Sequence, residues 1–273
     1  MHPQLDPEFA TRLLEPAKAN DSKYTRGTVG FVTGSEKYPG AALLGINAAF
    51  ELEIGMVSYL GPESVSNLVL SNRPEVVLGL DKAKVLVIGS GIADDEQGIQ
   101  AENLRVACEM QLPMVIDAGA LQQIDFTAIK APALITPHAH EAGRLFARMG
   151  HPRNVKDIEA NPVASAVELG ELTGTAVLLK GSLSVLALSG ETPIESGPGS
   201  THLATAGTGD VLAGMIGALA AKYISHGENL DALALRDIAL LANQLHSEAA
   251  EVAAQNGKFG ASAVCDAISE VLI

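Results

Sequence analysis

The sequence predicts an α/β protein, a parallel sheet with helices on both faces. Three observations predict it. Apolar runs of strand length alternate with segments of helical periodicity over nearly the whole chain. Glycine-rich or polar turns at 34–40, 89–91, 117–119, 136–141, 180–184 and 197–210 follow strands or open helices, so they gather along one edge of such a sheet. The hydrophobic share is 47% with 4% aromatics and no Trp, and a core of Ala, Val, Leu and Ile suits helices packed tightly on parallel strands.

Residues 1–26 are polar and punctuated by proline, an N-terminal arm or short surface helix with no expected function. The first strand is 27–33, closed by Gly34-Ser35 and by a turn at Tyr38-Pro39-Gly40. A helix dense in small residues follows at 41–53, where alanines and Gly45 allow close approach to the sheet. Strands at 56–60, 76–78 and 85–88 come next. Gly89-Ser90-Gly91 after the last of them invites a dinucleotide-fingerprint reading, but Asp94 stands where a third glycine belongs. A helix at 96–110 precedes the strand 114–117, whose terminal Asp117 falls at the ligand-binding edge of an open α/β sheet. The strand 133–136 leads into Pro137-His138-Ala139-His140-Glu141 and a helix at 140–149. No third ligand at a recognisable spacing accompanies the two histidines, so the segment reads as a polar helix cap rather than a metal site. His138 follows a strand end and is a candidate ligand contact. One helix covers 154–173, a strand 176–180 ends at Lys180, and a hairpin turn returns the chain as the strand 184–188. Helices at 210–224, 231–255 and 262–271 finish it.

The chain is organised around 197–214, where a stretch of Gly and small polar residues runs into the helix that opens near Asp210. A helix N-terminus has N–H groups without intrahelical partners and a positive dipole end, and glycines ahead of it let a phosphate approach the main chain. Asp210 is out of place beside a phosphate. It is either an N-cap or a base that takes a proton from a substrate hydroxyl while the neighbouring amides hold a phosphoryl group. Lys180 is the one basic side chain at a strand end beside a glycine; it is either a solvated hairpin lysine or a ligand group.

At 273 residues with formal charge −14, from 18 basic and 32 acidic side chains, the chain fits one large α/β unit and disfavours non-specific binding to nucleic acid or anionic membranes. Cys108 and Cys265 are far apart and read as small core residues, not as a disulfide or zinc pair. The first residues lack a signal-peptide pattern and no apolar run is long enough to span a bilayer, which predicts a cytosolic protein.

Tyr38-Pro39-Gly40-Ala41-Ala42, Gly89-Ser90-Gly91, Asp117-Ala118, Thr136-Pro137-His138 with Glu141, Leu179-Lys180-Gly181 and Gly207-Thr208-Gly209-Asp210-Val211-Leu212-Ala213-Gly214 occur in that order across 26–271. Together they resemble the ADP/ATP-dependent NAD(P)H-hydrate dehydratase family. The resemblance implies a ribokinase-like, three-layer αβα fold with a mostly parallel central sheet. It also implies repair of hydrated NADH and NADPH with ADP or ATP as co-substrate and Mg2+. By the same resemblance Ala41, Gly91, His138 and Asp210 contact the hydrated dinucleotide, and Asp210 is catalytic. Lys180, Gly181, Ser182, Leu183, Ser184 and Gly209 hold the adenine nucleotide, and the amides of Gly207, Thr208 and Gly209 form an anion hole. Two segments depart from the family pattern: Ala139-His140 replaces Pro-Gly, and Ser200-Thr201-His202-Leu203 replaces Asn-Pro-Gly-Met. Relatives suggest a homotetramer, and a chain of this length leaves no room for the epimerase domain sometimes fused to the family, so a separate epimerase is expected. The same Gly-Thr-Gly-Asp would also suit a ribokinase-like kinase of a small vitamin-precursor alcohol, or a non-catalytic nucleotide-binding protein.

Overall fold

A computed structural model describes residues 2–272. Its centre is a nine-stranded sheet: β1 Thr28–Val32, β2 Met56–Tyr59, β3 Val77–Leu78, β4 Val85–Ile88, β5 Met114–Ile116, β6 Ala133–Ile135, β7 Ala176–Leu179, β8 Ser184–Ala187 and β9 Ile194–Ser196. The spatial order is β3-β2-β1-β4-β5-β6-β7-β8-β9. Pairing is parallel from β3 to β7 and antiparallel across β7, β8 and β9. Every residue of β1, β2 and β4 to β8 is buried, as expected for strands covered on both faces. Alternation divides the sheet's side chains between two cores: Val85 and Val87 point to one, Leu86 and Ile88 to the other.

The helices are α1 Pro7–Leu13, α2 Gly40–Glu51, α3 Glu63–Asn72, α4 Ile99–Glu109, α5 Ala120–Gln123, α6 Ala139–Arg148, α7 Val155–Ala160, α8 Pro162–Thr173, α9 Thr208–Ser225, α10 Ala232–Gln255 and α11 Ala261–Asp266. One core is shared by α2, α9 and α10, the other by α4, α6 and α8. α2 and α9 touch backbone to backbone, because a Cβ on Gly214 would overlap the Gly45 carbonyl. Close packing of these two helices brings the turn after β1 and the start of α9 to the same region. Gly214→Ala is therefore expected to cost about 1–3 kcal/mol of stability by overpacking, read as a lower denaturant midpoint with an unchanged slope.

The structure differs from the sequence pattern at several elements. α3 was not expected; Ser64, Ser66, Asn67 and Ser71 dilute its apolar period, although Val65 and Val69 are buried. The expected helix at 154–173 is two helices, broken where Asn161 caps Pro162, since proline cannot continue the hydrogen-bonding of the turn before it. The helix expected at 96–110 begins only at Ile99, and that at 262–271 stops at Asp266 with a separate 3₁₀ turn at Ser269–Val271. Short elements α5 and β9 fall below the length at which a period is visible. The N-terminal arm is docked: Leu5, Ala10 and Leu13 are buried in the core, and the Phe9 ring lies 5.6 Å from the Tyr223 ring near the end of α9. Cys265 is buried, whereas Cys108 is only partly so.

Candidate active site

The helix α9 begins two residues earlier than the sequence suggested, and Asp210 is not its N-cap. That position belongs to Gly207, whose backbone is left-handed (φ 92°) and which brings no side chain to cap the helix. Only glycine suits it, for besides the φ a Cβ there would stand 2.6 Å from Leu44 Cδ1 and 3.0 Å from Ala261 Cβ. Thr208 instead ties the turn to the preceding loop, its hydroxyl donating to the carbonyls of Leu203 (2.9 Å) and Thr205 (3.1 Å). Asp210 is thus the third helical residue, and the amides of Thr208 and Gly209 open the helix without a capping side chain, an arrangement that favours an anion.

Four strand ends meet at Asp117, just beyond β5. This carboxylate is 2% exposed and accepts hydrogen bonds from Ser90 Oγ after β4 (2.9 Å), Thr136 Oγ1 after β6 (2.8 Å) and Lys180 Nζ after β7 (2.8 Å). Burial alone would raise its pKa; the Lys180 ammonium, with Thr136 and Ser90, outweighs that and holds the carboxyl below the ordinary range. Lys180 responds in kind: burial would lower it, but the carboxylates of Asp117, Glu141 and Asp210 raise it. The lysine is therefore no solvated hairpin residue. Its Nζ also lies 3.9 Å from Glu141 Oε2 and 3.3 Å from where a Cβ on Gly209 would be, so a charge-assisted donor stands over the first turn of α9.

Among the described residues Asp210 has no such partner at contact distance. Burial pushes its carboxyl up to about 7, the negative charge of Asp117 adds to this, and Lys180 restrains it. His138 caps α6: its Nδ1 accepts from the amides of His140 (3.1 Å) and Glu141 (3.3 Å), while Glu141 Oε2 accepts from the His138 amide (2.8 Å). Burial holds the His138 imidazole below its ordinary pKa, Lys180 in the same direction, against the pull of Glu141. The helix-capping role expected of this segment is present, and His138 also faces a cavity.

That cavity, ≈ 700 Å³, is lined by Asp117, His138, Glu141, Lys180, the loop from Leu203 to Thr208, and Asp210. A second, ≈ 490 Å³, shares His138, Lys180, Gly181 and Ser182 with it and continues to Leu183. Of the residues singled out from sequence, His138, Lys180, Gly181, Ser182, Ser184, Gly207, Thr208, Gly209 and Asp210 line the first cavity, and Leu183 lines the second. Ala41 and Gly91 line neither; they abut each other beside the turn after β1, where Gly34 donates to the Ser90 carbonyl (2.7 Å). Asn243 and His246 of α10 also line the first cavity and were not foreseen. They sit more than 30 positions beyond Asp210 in a helix that reads simply as amphipathic; the available signal was a polar stripe, Asn243, His246 and Ser247, on a face otherwise occupied by Ala and Leu. Among the described residues no three His, Cys, Asp or Glu side chains converge as a metal site, and no helix is long and apolar enough to cross a membrane.

A family model described as NAD(P)H-hydrate dehydratase matches residues 29–272. The bifunctional NAD(P)H-hydrate repair enzyme Nnr of Mycobacterium tuberculosis is 38% identical over 218 residues, which are 76% of this chain and 44% of that protein. The chain thus spans less than half the length of this relative. Among solved structures, the ADP/ATP-dependent NAD(P)H-hydrate dehydratase from Bacillus subtilis, co-crystallised with ATP/Mg2+, superposes with a TM-score of 0.77 at 23% identity, covering 99% of this chain and 98% of that one. A ribokinase-like superfamily protein from Enterococcus faecalis superposes with a TM-score of 0.75 at 17% identity over 99% and 98%. With a ribokinase-like fold and a family model matched from β1 to the C-terminal 3₁₀ turn, the chain belongs to the NAD(P)H-hydrate dehydratase family.

Proposed function

We propose that this protein dehydrates hydrated NADH and NADPH, consuming ADP or ATP, with Asp210 as the base. The observation that carries this is a carboxyl raised to about 7 at the opening turn of a helix whose capping position is a bare glycine. Asp210 takes the proton of the ring hydroxyl as that oxygen attacks the terminal phosphorus of the nucleotide. The phosphorus–oxygen bond to the leaving AMP (or ADP) breaks, and the amides of Gly207, Thr208 and Gly209 with Lys180 stabilise the charge that develops. Phosphate is a far better leaving group than water. The ring nitrogen's lone pair expels it, and loss of a proton from the neighbouring carbon restores the dihydropyridine.

Ala41, Gly91 and His138 are assigned to the hydrated dinucleotide, and Lys180 to Ser184 with Gly209 to the adenine nucleotide. Of the acidic side chains at the cavity, Asp117 and Glu141 already accept hydrogen bonds from this chain's own groups, and Asp210 has no such partner among the described residues. That donor set fits an ion carried in on the nucleotide's phosphates with water as its other ligands, where it would neutralise phosphate charge. The protein acts in the cytosol as one catalytic unit with a docked N-terminal arm, and pairs with an epimerase that supplies the reactive epimer. The homotetramer rests on family resemblance, and sedimentation equilibrium decides it.

The test is absorbance at the reduced-nicotinamide band after mixing the protein with hydrated NADH, magnesium, and ADP, ATP or no nucleotide. A rise that requires nucleotide is the expected result and ranks the two donors. Folded protein that binds ADP but gives no rise would replace the dehydratase with a small-alcohol kinase, whose phosphorylated product mass analysis would detect.

A further inference from the structure

The strand β1 ends at Val32, and the carbonyls of the next two residues, Thr33 and Gly34, accept from no backbone amide among the described residues. Both residues are buried, and buried carbonyls left that way cost stability. Side chains pair them instead. Gln100, in the first turn of α4, is 1% exposed, and its Nε2 donates to the Thr33 carbonyl (3.2 Å) and to the Gly34 carbonyl. Its Oε1 accepts from Asn103 Nδ2 (2.8 Å), which orients the amide. Tyr59 Oη, at the end of β2, donates to the Thr33 carbonyl as well (2.8 Å).

This clamp holds the turn that leads to Ala41. Gly34, left-handed at φ 73°, donates to the Ser90 carbonyl (2.7 Å). It also packs against Gly91, where a Cβ would stand 3.1 Å from Gly34 Cα and 2.4 Å from Ala41 Cβ. Ser35 carries the chain on to Tyr38, whose amide donates to the Ser35 carbonyl (3.1 Å), and so to Ala41 at the start of α2. Rotation of the Thr33–Gly34 peptide would therefore change how Ala41 and Gly91 stand to one another. Gln100, Asn103 and Tyr59 line neither of the cavities beside Lys180, so the clamp touches this turn and not the loop that opens α9.

We propose that Gln100 is a positioning residue for the hydrated dinucleotide, setting the Thr33–Gly34 turn so that Ala41 and Gly91 present one fixed surface to it. This rests on the dehydratase reading above and on its assignment of Ala41 and Gly91. The experiment is steady-state kinetics of wild type, Gln100→Met and Tyr59→Phe, with hydrated NADH and the better of ADP and ATP varied in turn, magnesium present. Gln100→Met keeps the length of the side chain and removes both N–H donors. It should raise KM for hydrated NADH about 10-fold, with kcat and KM for the nucleotide within about 2-fold of wild type. Tyr59→Phe, which leaves the Gln100 bonds in place, should raise the same KM about 3-fold. Gln100→Met should also melt lower, as loss of any buried pairing would make it; the split between the two KM values is what a merely structural role would not produce. Equal rises in both, or a lower melting temperature with KM for hydrated NADH unchanged, would make the clamp a support of the fold alone and overturn the proposal. If Gln100→Met does not fold, Tyr59→Phe decides by the same split. Wild-type protein that binds ADP yet restores no reduced nicotinamide would remove the dehydratase reading, and the proposal with it.

Discussion

Asp210→Asn is expected to lower kcat by about 10²–10⁴-fold, the range that general-base catalysis supplies, while both ligands remain bound. The same substitution should make the protein more stable at pH 8. The folded-state pKa of Asp210 is raised from 3.8 to about 7, so the folded chain binds more protons than the unfolded one between these values and Asp210's contribution to stability falls as pH rises through that window. Above pH 7 the whole cost is present. At roughly 1.4 kcal/mol per pKa unit, discounted for the water that reaches a partly exposed carboxylate, it amounts to about 2–3 kcal/mol. Asn removes it. Thermal melts should show the variant higher by about 4–12 °C at pH 8, at roughly 2–4 °C per kcal/mol, with the gain disappearing towards pH 4. In the wild-type enzyme kcat/KM should climb with pH along a limb centred near 7. A variant that turns over normally removes Asp210 from the mechanism.

Lys180→Met should have the largest effect on stability. It strands the Asp117 carboxylate, 2% exposed, without the ammonium that offsets its desolvation, and breaking one side of a buried pair costs about 3–5 kcal/mol. Urea denaturation should show that loss at pH 7. Because the paired Asp117 is depressed below its ordinary pKa, the stability it contributes is present above about pH 4 and fades below it, so wild type and variant should converge in acid. Adding Asp117→Asn to the variant should recover most of the loss, since Ser90 and Thr136 keep a partner and the charge stranded at position 117 is removed. Removing Lys180 also takes away the cation that restrains Asp210, so any residual activity should show its pH limb displaced upwards. A single variant that melts like wild type would mean that Asp117 is protonated or hydrated in the folded protein.

Most of the sheet was legible because its strands are apolar runs closed by Gly or Pro, as at Val85–Ile88 before Gly89. The edge on which the polar turns collect was legible too, and Ser90, Thr136, Lys180 and Asp117 are joined there by hydrogen bonds. What could not be read was partnership. Nothing local distinguishes a lysine at a hairpin from one 2.8 Å from a carboxylate 63 positions away. Nor does the string Gly-Thr-Gly-Asp reveal whether Asp210 caps the helix or sits within its first turn; the left-handed backbone at Gly207 decides that, held in place by Leu44 and Ala261 from elsewhere in the chain. His246 was missed because Asn243, His246 and Ser247 read in sequence as an ordinary polar stripe of an amphipathic helix, and only the fold brings that stripe to the cavity.

The meeting of four strand ends at Asp117 makes the chemistry a read-out of assembly. A peptide carrying the Gly-Thr-Gly-Asp segment would have an ordinary aspartate, because the dry surroundings and the opposing charges that retune Asp210 come from β5, β6 and β7 acting together. Recovery of activity during refolding is therefore expected to report registry across the middle of the sheet, and a chain mispaired at any one of these strands would be silent even with its Gly-Thr-Gly-Asp segment intact.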